Sequence, residues 1–282
     1  MVNAALPFQG LRVGFVTQHG KESLVAPHLE PLLGCVVERV DGIDTDRFGT
    51  FTRDIPRSGT QLEAARRKAQ AAFETGDWPL ALASEGAFGV DPYAGLMPWN
   101  VEVLVLLDRR TGREVAAHAQ GPALAAHSRV GSEDALRAFA QEAGFPHHHL
   151  VVRQGDENGP VVAKGLHTDE ALLDAFWRAR QGGQGVFVEH DLRAFCNPTR
   201  QAVIANAAKQ LAQKLASACP QCAAPGFWPV RHSGGLPCEA CGTPTHLPRL
   251  KVWGCSACGH EEQRPHGERP SAPAASCPAC NP

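Results

Sequence analysis

The sequence lacks an excess of charge of either sign: 27 Lys and Arg stand against 29 Asp and Glu in 282 residues, a formal net of −2. A chain so balanced has no long-range field to draw in nucleic acid or an anionic membrane. It also lacks any run near the roughly 18 apolar residues that a spanning helix needs. The stretch from Met1 to Arg12 has no basic segment followed by an apolar one. These absences predict a cytoplasmic protein that does not enter the membrane. Three catalytic signatures are missing as well, Gly-x-Ser-x-Gly, Gly-x-x-x-x-Gly-Lys-Ser/Thr and His-Glu-x-x-His, so nothing supports a serine hydrolase, a P-loop ATPase or a zinc protease. Lysine is scarce, 6 against 21 Arg. In the first 200 residues it occurs only as Lys21, Lys68 and Lys164, each in a segment singled out below.

Cysteine is abundant. Eight of the ten fall in four Cys-x-x-Cys pairs, Cys219/Cys222, Cys238/Cys241, Cys255/Cys258 and Cys277/Cys280. A two-residue spacer lets two thiolates converge on one tetrahedral ion, so eight thiolates predict two four-cysteine zinc sites, closed and structural. Disulfides are disfavoured by the cytoplasmic setting. Four knuckles allow three pairings. The preferred one is nested, with Cys219/Cys222 and Cys277/Cys280 on an outer ion and Cys238 to Cys258 forming a zinc ribbon; consecutive pairing is second. From Cys219 onward the module carries five Lys/Arg, four Asp/Glu and only Phe227, Trp228 and Trp253 as aromatics. That composition favours a structural or protein-contact role over nucleic-acid binding.

Before Ser217 the pattern alternates between strands and helices, which predicts an α/β domain over residues 1–217 with a mixed central sheet flanked by helices. The zinc module, a double ribbon, follows over 218–282. Leu11–Thr17 and Cys35–Val40 read as strands. Between them a helix from Lys21 is expected to be short or broken by Pro27 and Pro31. Thr60 with Glu63 forms a capping box for a helix running to about Glu74. Leu80–Ala83 reads as a short buried strand, and Val101–Leu107 with Glu114–Ala119 as a hairpin. Further helices are expected from Ser132 and Thr168, and strands at Leu150–Arg153, Val161–Ala163 and Val186–Glu189. Asn197 and Pro198 open a connecting helix over 198–217.

Three segments place polar residues at the ends of these elements: Thr17 to Lys21, Glu63 to Lys68, and Ala83-Ser84-Glu85-Gly86 with Asp91 beyond. In this order they resemble the inosine/xanthosine triphosphate pyrophosphatase family, with its lysine turn after the first strand, its Glu-Asn-Ala-x-x-Lys-Ala helix and its acidic-Gly turn. The first turn here is one residue shorter and has no Asn, and Ala64 replaces the helix Asn. The resemblance implies a magnesium-dependent hydrolase of nucleotide or related phosphoanhydrides. Glu85 would be the metal ligand, joined by Glu63 or Asp91, and Lys68 would lie in the catalytic group. Lys21 would bind phosphate; beyond the resemblance, Arg193 and Arg200 beside a capped helix start and Lys164 at a strand end are expected to do the same, and the expected metals are Mg²⁺ and two Zn²⁺. Separately, Gly49-Thr50-Phe51-Thr52, Ala83 to Gly86, Asn197-Pro198-Thr199-Arg200 and the terminal Cys-Pro-Ala-Cys-Asn-Pro resemble a bacterial family of unknown function. The expected partner is a small phosphorylated molecule or nucleotide, with a protein partner for the zinc module. The alternative is a non-enzymatic adaptor that uses the ribbons to bind protein or nucleic acid. His147-His148-His149 reads as a loop, and Cys35 and Cys196 as buried structural thiols.

Overall fold

The computed structural model describes residues 7–17, 20–43 and 59–282. Gln18 and His19 of the first turn and Gly49 to Thr52 lie outside them. The chain divides into two compact units, the larger Phe8–Ala212 and the smaller containing Gln213–Pro282.

The larger unit holds two sheets. The first takes the order β2-β1-β3-β4-β5, from β1 (Arg12–Val16), β2 (Val36–Arg39), β3 (Leu80–Val90), β4 (Pro98–Asp108) and β5 (Arg113–Pro122). Strands β2, β1 and β3 are parallel, and β3-β4-β5 is an antiparallel meander. The sheet is therefore mixed. The crossovers run through α1 (Glu22–Leu33) and α2 (Gln61–Thr75). From β1 the chain moves to β2 on one side and returns past β1 to β3 on the other. Right-handed connections therefore put the two helices on opposite faces. On the α2 face, Ala65, Ala69 and Ala72 pack against Val16, Ala81, Ala83 and Val105. Small helix residues let α2 lie close to the strands.

Helix α1 is unbroken, contrary to the expectation from its prolines. Pro27 and Pro31 lie four residues apart on its exposed side, while Val25, Leu29 and Leu33 are buried. The carbonyls that lose their partners thus face water, which replaces the missing donors.

The strands expected after residue 119, joined by a short one that was not expected, form a sheet of their own. It is antiparallel, in the order β6-β9-β7-β8, from β6 (His127–Val130), β7 (Leu150–Gln154), β8 (Val161–Leu166) and β9 (Val186–His190). Its core is closed by α3 (Glu133–Glu142) and α4 (Asp169–Gln181), through Leu136, Ala140, Leu172, Ala175, Phe176 and Ala179. Helix α5 (Pro198–Ala216) starts where Asn197 Oδ1 accepts from the Arg200 backbone N–H at 3.0 Å. The division between units falls inside its last turn.

The smaller unit is a three-stranded antiparallel sheet, β10 (Trp228–Pro237), β11 (Pro244–Gly254) and β12 (Glu261–Pro265), with cysteine knuckles at both ends. No helix of the described residues is long and apolar enough to cross a membrane.

Candidate functional site

β3 was expected to end at Ala83 in an acidic-Gly turn, yet it runs on to Val90, with Ser84, Glu85 and Gly86 in mid-strand. Pairing with β1 stops at Val16↔Ala83, so Ser84 is the first residue of β3 beyond the end of β1. A crevice beyond strand ends, where the chain switches sides of the sheet, is where open α/β folds bind ligands. Alternation along β3 divides the polar residues between the two faces.

On the α2 face, Lys68 Nζ meets Glu85 Oε2 at 2.6 Å, both side chains being nearly inaccessible. Gln61 Nε2 donates to the carbonyls of Glu85 and Val101 at 3.2 and 2.9 Å. On the opposite face, Lys21 Nζ donates to Ser84 Oγ at 2.9 Å. Gly86 pairs with Glu102 across the ladder, and Glu102 Oε1 accepts from Arg200 Nε at 2.7 Å. Both of those side chains are 0% exposed. Arg200 also donates to the Leu192 carbonyl at 2.6 Å, and Asn100 Nδ2 to Glu102 Oε1 at 3.2 Å. The buried atoms Glu102 Oε2 and Asn100 Oδ1 have no hydrogen-bond partner among the described residues. A side chain at Gly86 would overlap the Glu102 carboxylate and come within 2.5 Å of Arg200 Nη2, so glycine is required by close approach.

Three cations and two carboxylates are thus buried around one strand. Burial, and next the charge of Arg200, push the Lys21 ammonium down to about 7, against the pull of Glu102. Burial works to raise the Glu102 carboxyl, but Arg200 and Lys21 outweigh it and hold it below the usual carboxylate range. Beyond the cluster, a cleft of about 570 Å³ separates the β3–β4 hairpin from the second sheet. Phe88, Val90, Leu96 and Met97 line one wall and Val151, Glu189, Asp191 and Leu192 the other. Phe88 and Leu192 link cleft to cluster, since the Arg200 guanidinium lies 5.8 Å from the Phe88 ring and bonds the Leu192 carbonyl.

The structure brings Lys21, Lys68, Glu85 and Arg200 together. It does not add the other expected residues. Glu63 is exposed, its carboxylate taking the Thr60 N–H at 2.8 Å in the capping box. It stands five residues before Lys68 and so about 140° around the helix from it. Asp91 accepts four backbone N–H groups, from Tyr93, Ala94, Leu96 and Met97, and fixes the β3–β4 loop. These bonds, from Ala94 and Met97 above all, hold its carboxyl far below the usual range. Lys164 is exposed on β8. Arg193 is committed to Asp191 through contacts of 2.5 to 3.1 Å.

A magnesium site centred on Glu85 does not fit. Mg²⁺ needs several oxygen ligands, and Glu85 is engaged by Lys68 on the face opposite Glu102. Among the described residues the groups of three or more potential metal ligands are the two cysteine sets. The thiols Cys35 and Cys196 are buried, which raises them to about 11 and 12 and leaves them inert as nucleophiles. Of the three successive histidines, His148 bonds Thr199 Oγ1 at 2.9 Å and His149 stacks on His167. Asn100 and Glu102 were missed in the sequence. Their signal was two polar residues at alternate positions of a strand otherwise rich in Val and Leu.

The cysteines form two groups, Cys219/Cys222/Cys255/Cys258 and Cys238/Cys241/Cys277/Cys280, within each of which all ligand atoms lie within 4.8 Å of one another. Contacts between knuckles are 3.7 and 3.8 Å in the first group and 3.6 and 3.9 Å in the second. A tetrahedron with Zn–S bonds of about 2.3 Å has edges of about 3.8 Å, so both groups fit zinc. Backbone N–H groups of Ala240 and Ala257 point at Cys238 Sγ and Cys255 Sγ at 3.4 Å. Gly242 and Gly259 take the left-handed conformation after their knuckles. Four thiolates leave no open position, which makes the sites structural.

The pairing is interleaved, first knuckle with third and second with fourth, and this corrects both the nested and the consecutive expectation. β10 and β11 explain it: eleven residues at about 3.3 Å each would hold Cys241 and Cys255 about 35 Å apart. The hairpin's open end joins the first and third knuckles, while its turn carries the second. The last knuckle reaches the turn beside the Cys238↔Ala272 bridge.

No curated protein matches the chain. The family described as "Domain of unknown function (DUF6671)" matches over residues 68–282, from Lys68 through the last zinc knuckle, and the chain belongs to it.

Proposed function

We propose that the larger unit binds a phosphorylated small molecule of nucleotide size, with phosphate at the crevice beyond β1 and the organic remainder in the adjoining cleft. Lys21 carries the reading. It is a buried ammonium whose hydrogen bond goes to a hydroxyl, in a cluster that among the described residues has one more cation than carboxylates. An entering anion offsets that surplus and restores the Lys21 charge. Lys21, Ser84 and Arg200 are the groups nearest the anion; the Glu102–Arg200 and Glu85–Lys68 pairs hold the strand between them. The cleft is of ordinary ligand-site size, largely apolar with a few polar groups on its second wall. The activity implied by the pyrophosphatase resemblance is cleavage of a phosphoanhydride, and the test scores it together with binding.

Thermal unfolding of the zinc-loaded chain is followed with pyrophosphate and with canonical and damaged nucleoside triphosphates, with and without added Mg²⁺, while phosphate and pyrophosphate release are recorded. A ligand at 100 times its Kd is expected to stabilise by about 2.7 kcal/mol, and Lys21→Met to abolish the shift. Turnover by the wild type that is lost in a folded Lys21→Met variant would make the site hydrolytic. No shift of the folded wild type by pyrophosphate or any nucleotide would overturn the phosphate site.

A further inference from the structure

The zinc module sorts its charges in a way its composition hides. Residues alternate between the faces of β11, with Arg249, Lys251 and Trp253 on one and Leu250, Val252 and Gly254 on the other. Val252 and Gly254 are buried, whereas Arg249 is exposed and Lys251 and Trp253 are partly so. Ladder pairing sets His232 and Arg264 beside Lys251. The His232 and His266 rings meet edge to face at 4.8 Å.

Two of the module's four carboxylates lie elsewhere. Glu261 is paired with Arg231 on the other face, and Glu239 accepts from the Ala274 N–H beside the second knuckle. Glu262 shares the face, where it holds Arg264 at 2.7 Å. The Arg264 guanidinium lies over the Trp253 ring, 4.3 Å from its centre, so that it caps the indole. Arg249 and Lys251 form no ion pair among the described residues.

We infer that this face of the β10–β11–β12 sheet binds single-stranded nucleic acid, a base stacking on the Arg264 guanidinium that Trp253 backs while Arg249 and Lys251 contact the backbone. Two cations two residues apart along a strand are separated by about 6.6 Å, close to the step between successive phosphates of an extended strand. Stacking on a guanidinium plane held over an indole requires an unpaired base and tolerates any sequence, which selects single strand over duplex. The strands carry three cations on this face against one carboxylate. This inference is independent of the proposed phosphate site, since it concerns the other unit.

Fluorescence anisotropy of a short labelled oligothymidylate, titrated with the full zinc-loaded chain at stepwise salt, tests it. Saturable binding is expected, with log K falling against log salt by about 0.7 per phosphate engaged, hence about 1.4 to 2 overall for two or three contacts. The double variant Arg249→Gln/Lys251→Gln changes two side chains that reach solvent and leaves all eight zinc cysteines in place. It should bind about tenfold more weakly with a flatter salt slope. Trp253→Leu, scored only if it retains two zinc ions per chain, should lose at least fivefold while keeping the slope. The inference is overturned by absence of binding at the lowest salt, by wild-type affinity in the double glutamine variant, or by equal competition from duplex or an acidic peptide.

Discussion

Lys21 makes the larger unit sensitive to pH in a direction that follows from its burial. The folded chain releases this proton near pH 7, and an unfolded lysine holds it to about 10.4. Between these values the unfolded state binds more protons, so stability rises with pH across the window, and below about pH 7 the cost is fully present. Lys21→Met should therefore stabilise the ligand-free chain, by a few kcal/mol in order of magnitude at pH 6, with the difference shrinking toward pH 10. Melting curves of both proteins across that range would check it; a difference independent of pH would show that Lys21 is not held in this state. Binding a phosphate should bring a proton back, seen near pH 7.5 as a calorimetric heat that depends on the buffer. At Ala223 the chain adopts φ +58°, the only non-glycine residue with positive φ among those described. It occupies the position after the first knuckle that Gly242 and Gly259 fill after theirs. Ala223→Gly removes a left-handed strain of about 1 kcal/mol and should raise denaturant resistance accordingly.

At the scale of elements, the Glu102–Arg200 pair joins β4 to the start of α5 across 98 residues of sequence. Arg200→Met leaves a buried carboxylate without its hydrogen-bonded cation and should cost about 3 to 5 kcal/mol. Arg200→Met/Glu102→Leu should recover most of it, because a hydrophobic replacement of a buried pair is often neutral. Urea unfolding of the two singles and the double gives the coupling; a double variant no more stable than Arg200→Met would mean that the pair does not act as one. The same pair explains what the sequence could and could not disclose. The Thr60/Glu63 capping box and the Asn197 cap were legible because their partners lie three residues away. The length of β3 was not, because Gly86 and Gly89 look like breakers. Gly86 is in fact required by Glu102 and Arg200, distant in sequence, which press against the strand. Lys21, Lys68, Glu85 and Arg200 were legible as candidates for one site, but their division between two faces depends on the register of β3. The zinc ligands were evident from spacing. Their pairing was not, because spacing does not tell whether the intervening residues fold back or run straight.

For the whole chain, the interleaved sites make the β10–β11 hairpin a spacer between two ions, each fastening one end. Phe227 packs with Cys219, Cys255 and Trp253 around the first group. The second group lies at the hairpin turn with the C-terminal knuckle. Cys280→Ser should therefore lower the zinc content from two per chain to one and loosen the turn, while the emission of Trp253 keeps its folded character. Cys258→Ser should lower the content equally and disturb Trp253. Nested pairing would give the opposite for Cys280, because its ion would then be held by Cys219 and Cys222 beside Phe227. Native mass spectrometry for zinc and tryptophan emission for packing separate the two outcomes. The larger unit's cores around α2 and around α3 and α4 contain no zinc ligand. A chelator that unfolds the smaller unit should accordingly leave a distinct cooperative thermal transition of the larger one. Its loss would show that the zinc sites support the folding of the entire chain, and the phosphate site would then depend on zinc through stability without zinc taking part in its chemistry.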